Sequence, residues 1–289
     1  MARRDGMVER DGALTLAAHG VLILGVAVMV LPVYLAFVAS THPGADFLGG
    51  RIGVLPGPDG PANYAALVGL GAPPPGVPPI GPMLWNSFVM ALGIAVGKIA
   101  ISLLSAFAVS YFRFPFRVTA FWLIFITLML PVEVRILPTY KVVADLALLN
   151  TPGGLILPLI ASATATFLFR QVFMTIPDEM TEAARMDGAG PMRFFWHILL
   201  PLSRTNIAAL FVILFIYGWN QYLWPLMVTT EASHATIVTS IQRLAATANQ
   251  EAPVWHLVMG TAILALLPPV AVILAMQRLF VDGLTETEK

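Results

Sequence analysis

EAARMDGAGPMRFFWHILLPL, residues 182–202, is polar and glycine-punctuated, yet it lies between two apolar runs of membrane length. Pro177, Asp178 and Glu179 just before it suit a helix start, because early acids complement the positive end of a helix. Gly188 suits a left-handed helix stop, Gly190-Pro191 opens a second short helix, and Pro201 closes it. The stretch predicts a helix-turn-helix whose apolar positions, Met180, Phe194 and Phe195 among them, offer a docking surface to a partner protein.

Working outward, the chain is 58% hydrophobic and 11% charged, which excludes a water-soluble domain. A helix needs roughly 20 apolar residues to cross about 30 Å of hydrocarbon. Six runs qualify: Leu14 to Ala39, Leu84 to Tyr111, Val118 to Tyr140, Leu155 to Phe173, Ile207 to Val228 and Val258 to Met276. The fold class is therefore all-α, a polytopic membrane protein with six transmembrane helices. The first run follows Arg3, Arg4 and Arg10 but is too long for a signal core and reads as a retained anchor.

Lys and Arg set the orientation. One side collects Arg3, Arg4, Arg10, Arg113, Arg117, Arg170, Arg185, Arg193, Arg204, Arg278 and Lys289; the other has Arg51, Lys141 and Arg243. The first side is cytoplasmic and holds both termini. The organisation expected is a cytoplasmic N-terminus over 1–13, a transmembrane domain over 14–283 and a cytoplasmic tail over 284–289. Within it, the outer connection 40–83, with PGPDGP and GAPPPGVPPIGP, reads as an irregular surface loop, and the cytoplasmic loop 174–205 contains the hairpin.

There is no cysteine and the five histidines are scattered, so no metal site is expected, and neither is a nucleic-acid partner. Gly93-Ile-Ala-Val-Gly97-Lys98-Ile99 has one residue too few for a phosphate-binding loop and lacks the following Ser or Thr. Gly93 and Gly97 read instead as a small-xxx-small contact between membrane helices. With no nucleophile elbow or paired-histidine motif either, no catalytic residue is expected, and any fuel must be hydrolysed by another subunit.

Charges inside the membrane are costly unless paired or hydrated. Lys98, Glu133 and Arg135 are the candidates, and counting helical rise puts Lys98 and Glu133 at similar depth, which predicts an ion pair between them. Arg135, bracketed by Pro131 and Pro138, is suited to gripping an anionic substrate with its planar fork, or else snorkels to the outer surface or neutralises a neighbouring acid. In the fifth run, Asn220 and Gln221 either line a polar path or join helices, while Trp219, Tyr222 and Trp224 read as an interfacial belt.

The hairpin also carries a resemblance. Glu182-Ala183-Ala184, then Gly188, nine residues, Ile198, one residue and Leu200-Pro201 resembles the cytoplasmic signature of binding-protein-dependent ABC importer permeases, with every fixed position present. The segments WNSFVMALGIAVGKI, LLSAFAVSYFRFPFR, FITLMLPVEVRILPT, ASATATFLFRQVFM, FIYGWNQYLWPL and MQRLFVDGL are similar to the glycerol-phosphate branch of the carbohydrate-uptake class, over most of 84–283. The ending GLTETEK, in place of a Gly-Ala-Val-Lys-Gly type tail, agrees with that branch.

The resemblance implies a type I importer permease with a cytoplasmic coupling helix seated on an ATPase. Glu182, Ala183, Ala184, Asp187 and Gly188 would make the contact, with Ile198 and Pro201 completing the signature. It implies a second, different permease, two copies of an ATPase that use ATP and Mg, a periplasmic solute-binding protein, and a multi-pass position in a bacterial inner membrane. No cofactor would be bound by this chain. The cargo implied is sn-glycerol-3-phosphate, moved by alternating access; a neutral sugar or a glycerophosphodiester stays open. A stand-alone secondary transporter would be expected to carry relay carboxylates on several helices, whereas Glu133 is the one acid within a span.

Overall fold

The computed structural model describes residues 12–50, 52–71, 79–127, 132–248 and 254–286. Every regular element among them is helical. Two compact units divide the chain, one drawn from Met1–Pro78 and Leu244–Leu264, the other from Pro79–Arg243 and Ala265–Lys289.

The first unit contains α1 (Gly12–Ser40), α2 (Gly44–Gly49) and α3 (Gly60–Val68). α1 is apolar around its whole circumference, as a membrane helix is. The connection 40–83 is not the irregular loop expected from its prolines. Gly60-Pro61 starts α3, because proline in a first turn removes an N–H that would have had no helical acceptor. Asn63 then donates to the carbonyls of Ser40 (2.9 Å) and His42 (3.1 Å), and the Tyr64 hydroxyl pairs with Ser40 Oγ at 2.8 Å. Leu67 is buried where a Cβ on Gly260 would come within 2.8 Å of it. The proline-rich part, 72–78, lies outside the described residues.

The second unit is built on α4 (Gly81–Tyr111). It continues with α5 (Arg117–Ile126), α6 (Val132–Asp145), α7 (Pro152–Ile156) with a tight turn Leu157–Leu159, and α8 (Ala163–Met174). The hairpin follows as α9 (Asp178–Met186), α10 (Pro191–Phe194), a π turn Phe195–Leu199 and α11 (Leu200–Leu202). Then come α12 (Arg204–Trp219), α13 (Leu223–Val228), α14 (Ile237–Ala248) and α15 (Trp255–Glu286). The last two cross between the units in sequence, and α15 runs through residue 283 without a break.

Gly93 and Gly97 make the close approach expected of them. A Cβ on Gly93 would stand 2.6 Å from Ile156 Cδ1, and one on Gly97 would stand 2.5 Å from Ile160 Cγ2. Gly218 does the same for α12, where a Cβ would stand 2.9 Å from Ala91 Cα.

Three of the six spans differ from the continuous helices expected. The first, second and sixth stand alone as Thr15–Ser40, Gly81–Tyr111 and Trp255–Gln277. The third is two helices, α5 and α6, on either side of residues 128–131, which lie outside the described residues. The fourth bends by 51° between Pro152–Leu159 and Ala163–Met174. The fifth ends at Trp219 instead of Val228, because Pro225 can donate no bond to Gln221 and its ring would crowd that carbonyl in a continuous helix.

Trp219 and Trp224 do not form an interfacial belt. Both are buried, Trp219 stacked on Phe215 with ring centres 6.0 Å apart and Trp224 donating its indole N–H to the Gly154 carbonyl at 3.2 Å. Tyr222 alone of the three is exposed. Behind Trp224, Asn150 sits at φ +55 and latches the chain after α13: its Oδ1 accepts from Thr230 N (2.8 Å) and Glu231 N (3.2 Å) while Nδ2 donates to Thr230 Oγ1 at 2.8 Å.

Candidate functional site: the docking hairpin and a basic cavity

The second unit holds two features with chemistry to offer. The first is the hairpin. α9 starts after Pro177 with Asp178 and Glu179 in its first turn, as the sequence predicts. It stops in a Schellman motif: Gly188 stands at φ +72 and donates to the Arg185 carbonyl (3.0 Å), and Ala189 donates to the Ala184 carbonyl (2.9 Å). Gly190 then opens α10. Leu200 N–H reaches back five residues to Phe195, and Pro201, with no N–H for the His197 carbonyl, accounts for that widened π turn.

Phe194 and Phe195 were expected to dock on a partner. They are buried in this chain instead, Phe194 against Tyr111 (5.3 Å between centres) and Phe195 against Phe107 (4.9 Å). Both therefore anchor the hairpin to the end of α4, where long aromatic side chains have the most area to bury. Ala184 is buried on the same side. Glu182, Ala183, Asp187, Gly188 and Pro201 are exposed, and Ile198 is half-buried. The apolar surface left for a partner is Met186, 83% exposed, with Met180, Met192 and Trp196.

From the hairpin the chain enters α12 through Ser203, with a 73° bend between Pro191–Leu202 and Arg204–Trp219. Ser203 is fully buried; its Oγ donates to the Leu199 carbonyl (2.8 Å) and its own carbonyl accepts from Ile207 N (2.9 Å). The N–H, hydroxyl and carbonyl of Ser203 are thus all engaged at the corner, its N–H donating to the Leu199 and Leu200 carbonyls at 3.1 Å.

The second feature is a cavity of about 500 Å³, whose lining includes Lys98, Ser105, Thr127, Arg135, Ser162, Thr164 and Tyr217. Lys98 and Arg135 thus share one space, and no carboxylate is among its described lining residues. Lys98 is 7% exposed and its ammonium sits 3.9 Å from the centre of the Tyr217 ring. The expected Lys98–Glu133 pair cannot be placed, since the side chain of Glu133 lies outside the described residues. Neither Asn220 nor Gln221 lines the cavity. Asn220 caps α12 through its N–H to Ile216 O (3.0 Å), and Gln221 Nε2 donates to the Tyr217 carbonyl (3.1 Å).

Residues 98–286 match the family described as binding-protein-dependent transport system inner membrane component. The chain belongs to this family. The permease is 57% identical over 284 residues to the sn-glycerol-3-phosphate transport system permease protein UgpE of Agrobacterium fabrum, covering 98% of this chain and 100% of that protein. Against the proteins of the same name from Brucella melitensis and Yersinia pestis, identity is 56% over 283 and 55% over 285 residues, with the same coverage. A chain of a bacterial ABC transporter involved in the import of the acidic polysaccharide alginate superposes with a TM-score of 0.73 at 20% identity, over 95% of this chain and 99% of that one. That likeness establishes the fold. Membership makes the permease a membrane transport component rather than an enzyme.

Tyr217, Ser162 and Thr164 were not singled out from the sequence. Ser162 had a readable signal, a capping residue inside an apolar run and directly ahead of Ala-Thr-Ala-Thr. Tyr217 had none, since its partner Lys98 is remote in sequence.

Proposed function

We propose that this permease is one of two unlike membrane subunits of an ATP-driven importer for sn-glycerol-3-phosphate. Both termini face the cytoplasm in this reading. A pair of identical ATPase subunits, using ATP and Mg, docks on the exposed face of α9 and the turn that follows it, through Glu182, Ala183, Asp187 and Gly188, with Met186 as the apolar anchor. A periplasmic binding protein delivers cargo from the other side. Full-length relatives that carry the glycerol-phosphate name support the cargo. The observation that carries the reading is the pairing of Lys98 and Arg135 around one cavity without a described carboxylate, which favours an anionic phosphate ester over a neutral sugar.

Alternating access then has a mechanical route. ATP binding would draw the two docked hairpins together, and the one in this chain would move as a body because Phe194, Phe195 and Ser203 tie it to α4 and α12. α12 carries Tyr217 at the cavity and packs Gly218 on Ala91, so tilting it reshapes the wall around Lys98. The work comes from differential binding at the ATPase, not from chemistry in this chain.

The test is uptake into vesicles reconstituted with both permeases, the ATPase and the binding protein, comparing sn-glycerol-3-phosphate with maltose and glycerophosphocholine. ATP-dependent uptake of the phosphate ester with none of maltose is expected. Uptake without any ATPase would overturn the reading.

A further inference from the structure

The break in the fourth span puts a helix start into the cavity wall. α8 begins at Ala163, Ser162 accepts from Ala165 N at 3.3 Å as its cap, and Ser162, Ala163 and Thr164 all line the cavity. The first N–H groups of an α-helix have no intrahelical acceptor, and the end of a twelve-residue helix bears partial positive charge. Broken membrane helices whose inner N-termini meet anionic groups are a recurring device in transporters. The N-terminus does not stand alone here. Lys98 is buried in the same wall, and among the described residues its ammonium has the Tyr217 ring as neighbour and no carboxylate. A ring face offsets part of the cost of burying an ammonium but supplies no counter-charge.

We propose that the N-terminus of α8, Lys98 and Arg135 form one transit site for the phosphate group of the cargo, with Tyr217 holding Lys98 at its floor. The inference rests on the reading of this chain as a permease for a phosphate ester and assigns the atoms that would grip it. Arg135, exposed, offers its fork at the rim; Lys98, buried, offers a point charge deeper in; the free N–H groups of Ala163 and Thr164 complete the donors around a tetrahedral oxyanion. The cavity volume falls within the range of small-molecule sites and leaves room for water beside a small ester. Room for water beside the ester is suited to passage, where the cargo must leave as readily as it enters.

The experiment measures uptake of radiolabelled sn-glycerol-3-phosphate per ATP hydrolysed in the reconstituted full complex. Lys98→Gln should lower that ratio roughly tenfold, the loss expected for one charge-assisted bond, and Lys98→Arg should recover most of it. The sharper pair is Thr164→Asp against Thr164→Asn. An acid in the first turn stabilises α8 but repels phosphate, so the aspartate variant should melt no lower than the asparagine one and yet carry roughly tenfold less cargo per ATP. Equal ratios for Asp and Asn at 164, or a parental ratio for Lys98→Gln, would overturn the site. A parent complex that takes up no sn-glycerol-3-phosphate would overturn the proposed function itself, which separates the two failures.

Discussion

Gly188 is where backbone geometry and coupling can be separated from everything else. A Cβ built on it meets nothing within 4 Å, so substitution meets no steric clash and its cost is that of φ +72 alone. For an L-residue the left-handed conformation costs about 1–2 kcal/mol, less for Asn and more for a β-branched side chain. The alternative open to the chain is to give up the bonds to the Arg185 and Ala184 carbonyls, 3.0 and 2.9 Å long, and let the end of α9 unwind. A penalty of that size changes the ratio of closed to open turn about 5- to 30-fold. If the ATPase binds the closed turn, apparent affinity falls by up to the same factor, reached when the closed turn is the minor form, since a partner sees only the competent fraction. Gly188→Asn should therefore stay close to the parent, Gly188→Ala should lose up to about fivefold and Gly188→Val up to about 30-fold. Because α9 is nine residues long and exposed, the melting temperature of the purified permease should move little across the series. The assay is the dissociation constant for the ATPase in detergent, with melting temperature as the control. A flat series, or Asn behaving as badly as Val, would refute the argument.

The buried and exposed faces of the hairpin predict opposite outcomes. Phe194→Ala should destabilise the permease by about 3–5 kcal/mol, read as a lowered melting temperature, whereas Met186→Ala should leave stability within about 0.5 kcal/mol and weaken ATPase binding. Gly97→Val should overpack the contact with Ile160 and cost about 1–3 kcal/mol, and adding Ile160→Ala should return part of it; additive losses in that double-mutant cycle would count against the close approach. Asn150→Ala removes the latch on Thr230 and Glu231 and places an alanine at φ +55, and should cost about 1–2 kcal/mol, chiefly the left-handed strain, since water can replace the acceptor at these exposed N–H groups.

The hairpin was legible in the sequence because its determinants are local. A proline, two early acids and two glycines act on their own residues, and φ +72 at Gly188 follows from its neighbours. The long runs of α1, α4 and α15 were legible for the same reason, as a membrane-length window of apolar residues needs no partner to be read. The folded connection 40–83 was not, because Asn63 and Tyr64 gain their meaning only when Ser40 and His42 lie beside them. Nor was the inward turn of Trp219 and Trp224, which is decided by Phe215 and the Gly154 carbonyl rather than by their own chemistry.

The remaining misreadings share a place. Hydropathy averages over a window and does not see where a helix stops, so α5, α8 and α12 were each drawn through their ends. Yet Ile124 and Thr127 at the end of α5, Ala161 to Thr164 at the start of α8, and Tyr217 beside the end of α12 all line the cavity that holds Lys98 and Arg135. Backbone interrupted at membrane depth is tolerated only where protein buries it or a polar cavity receives it. The convergence of three helix ends on one basic cavity is therefore itself an argument that the cavity is what the interruptions serve. A neutral substitution at one cation should then impair transport while leaving these helix ends intact.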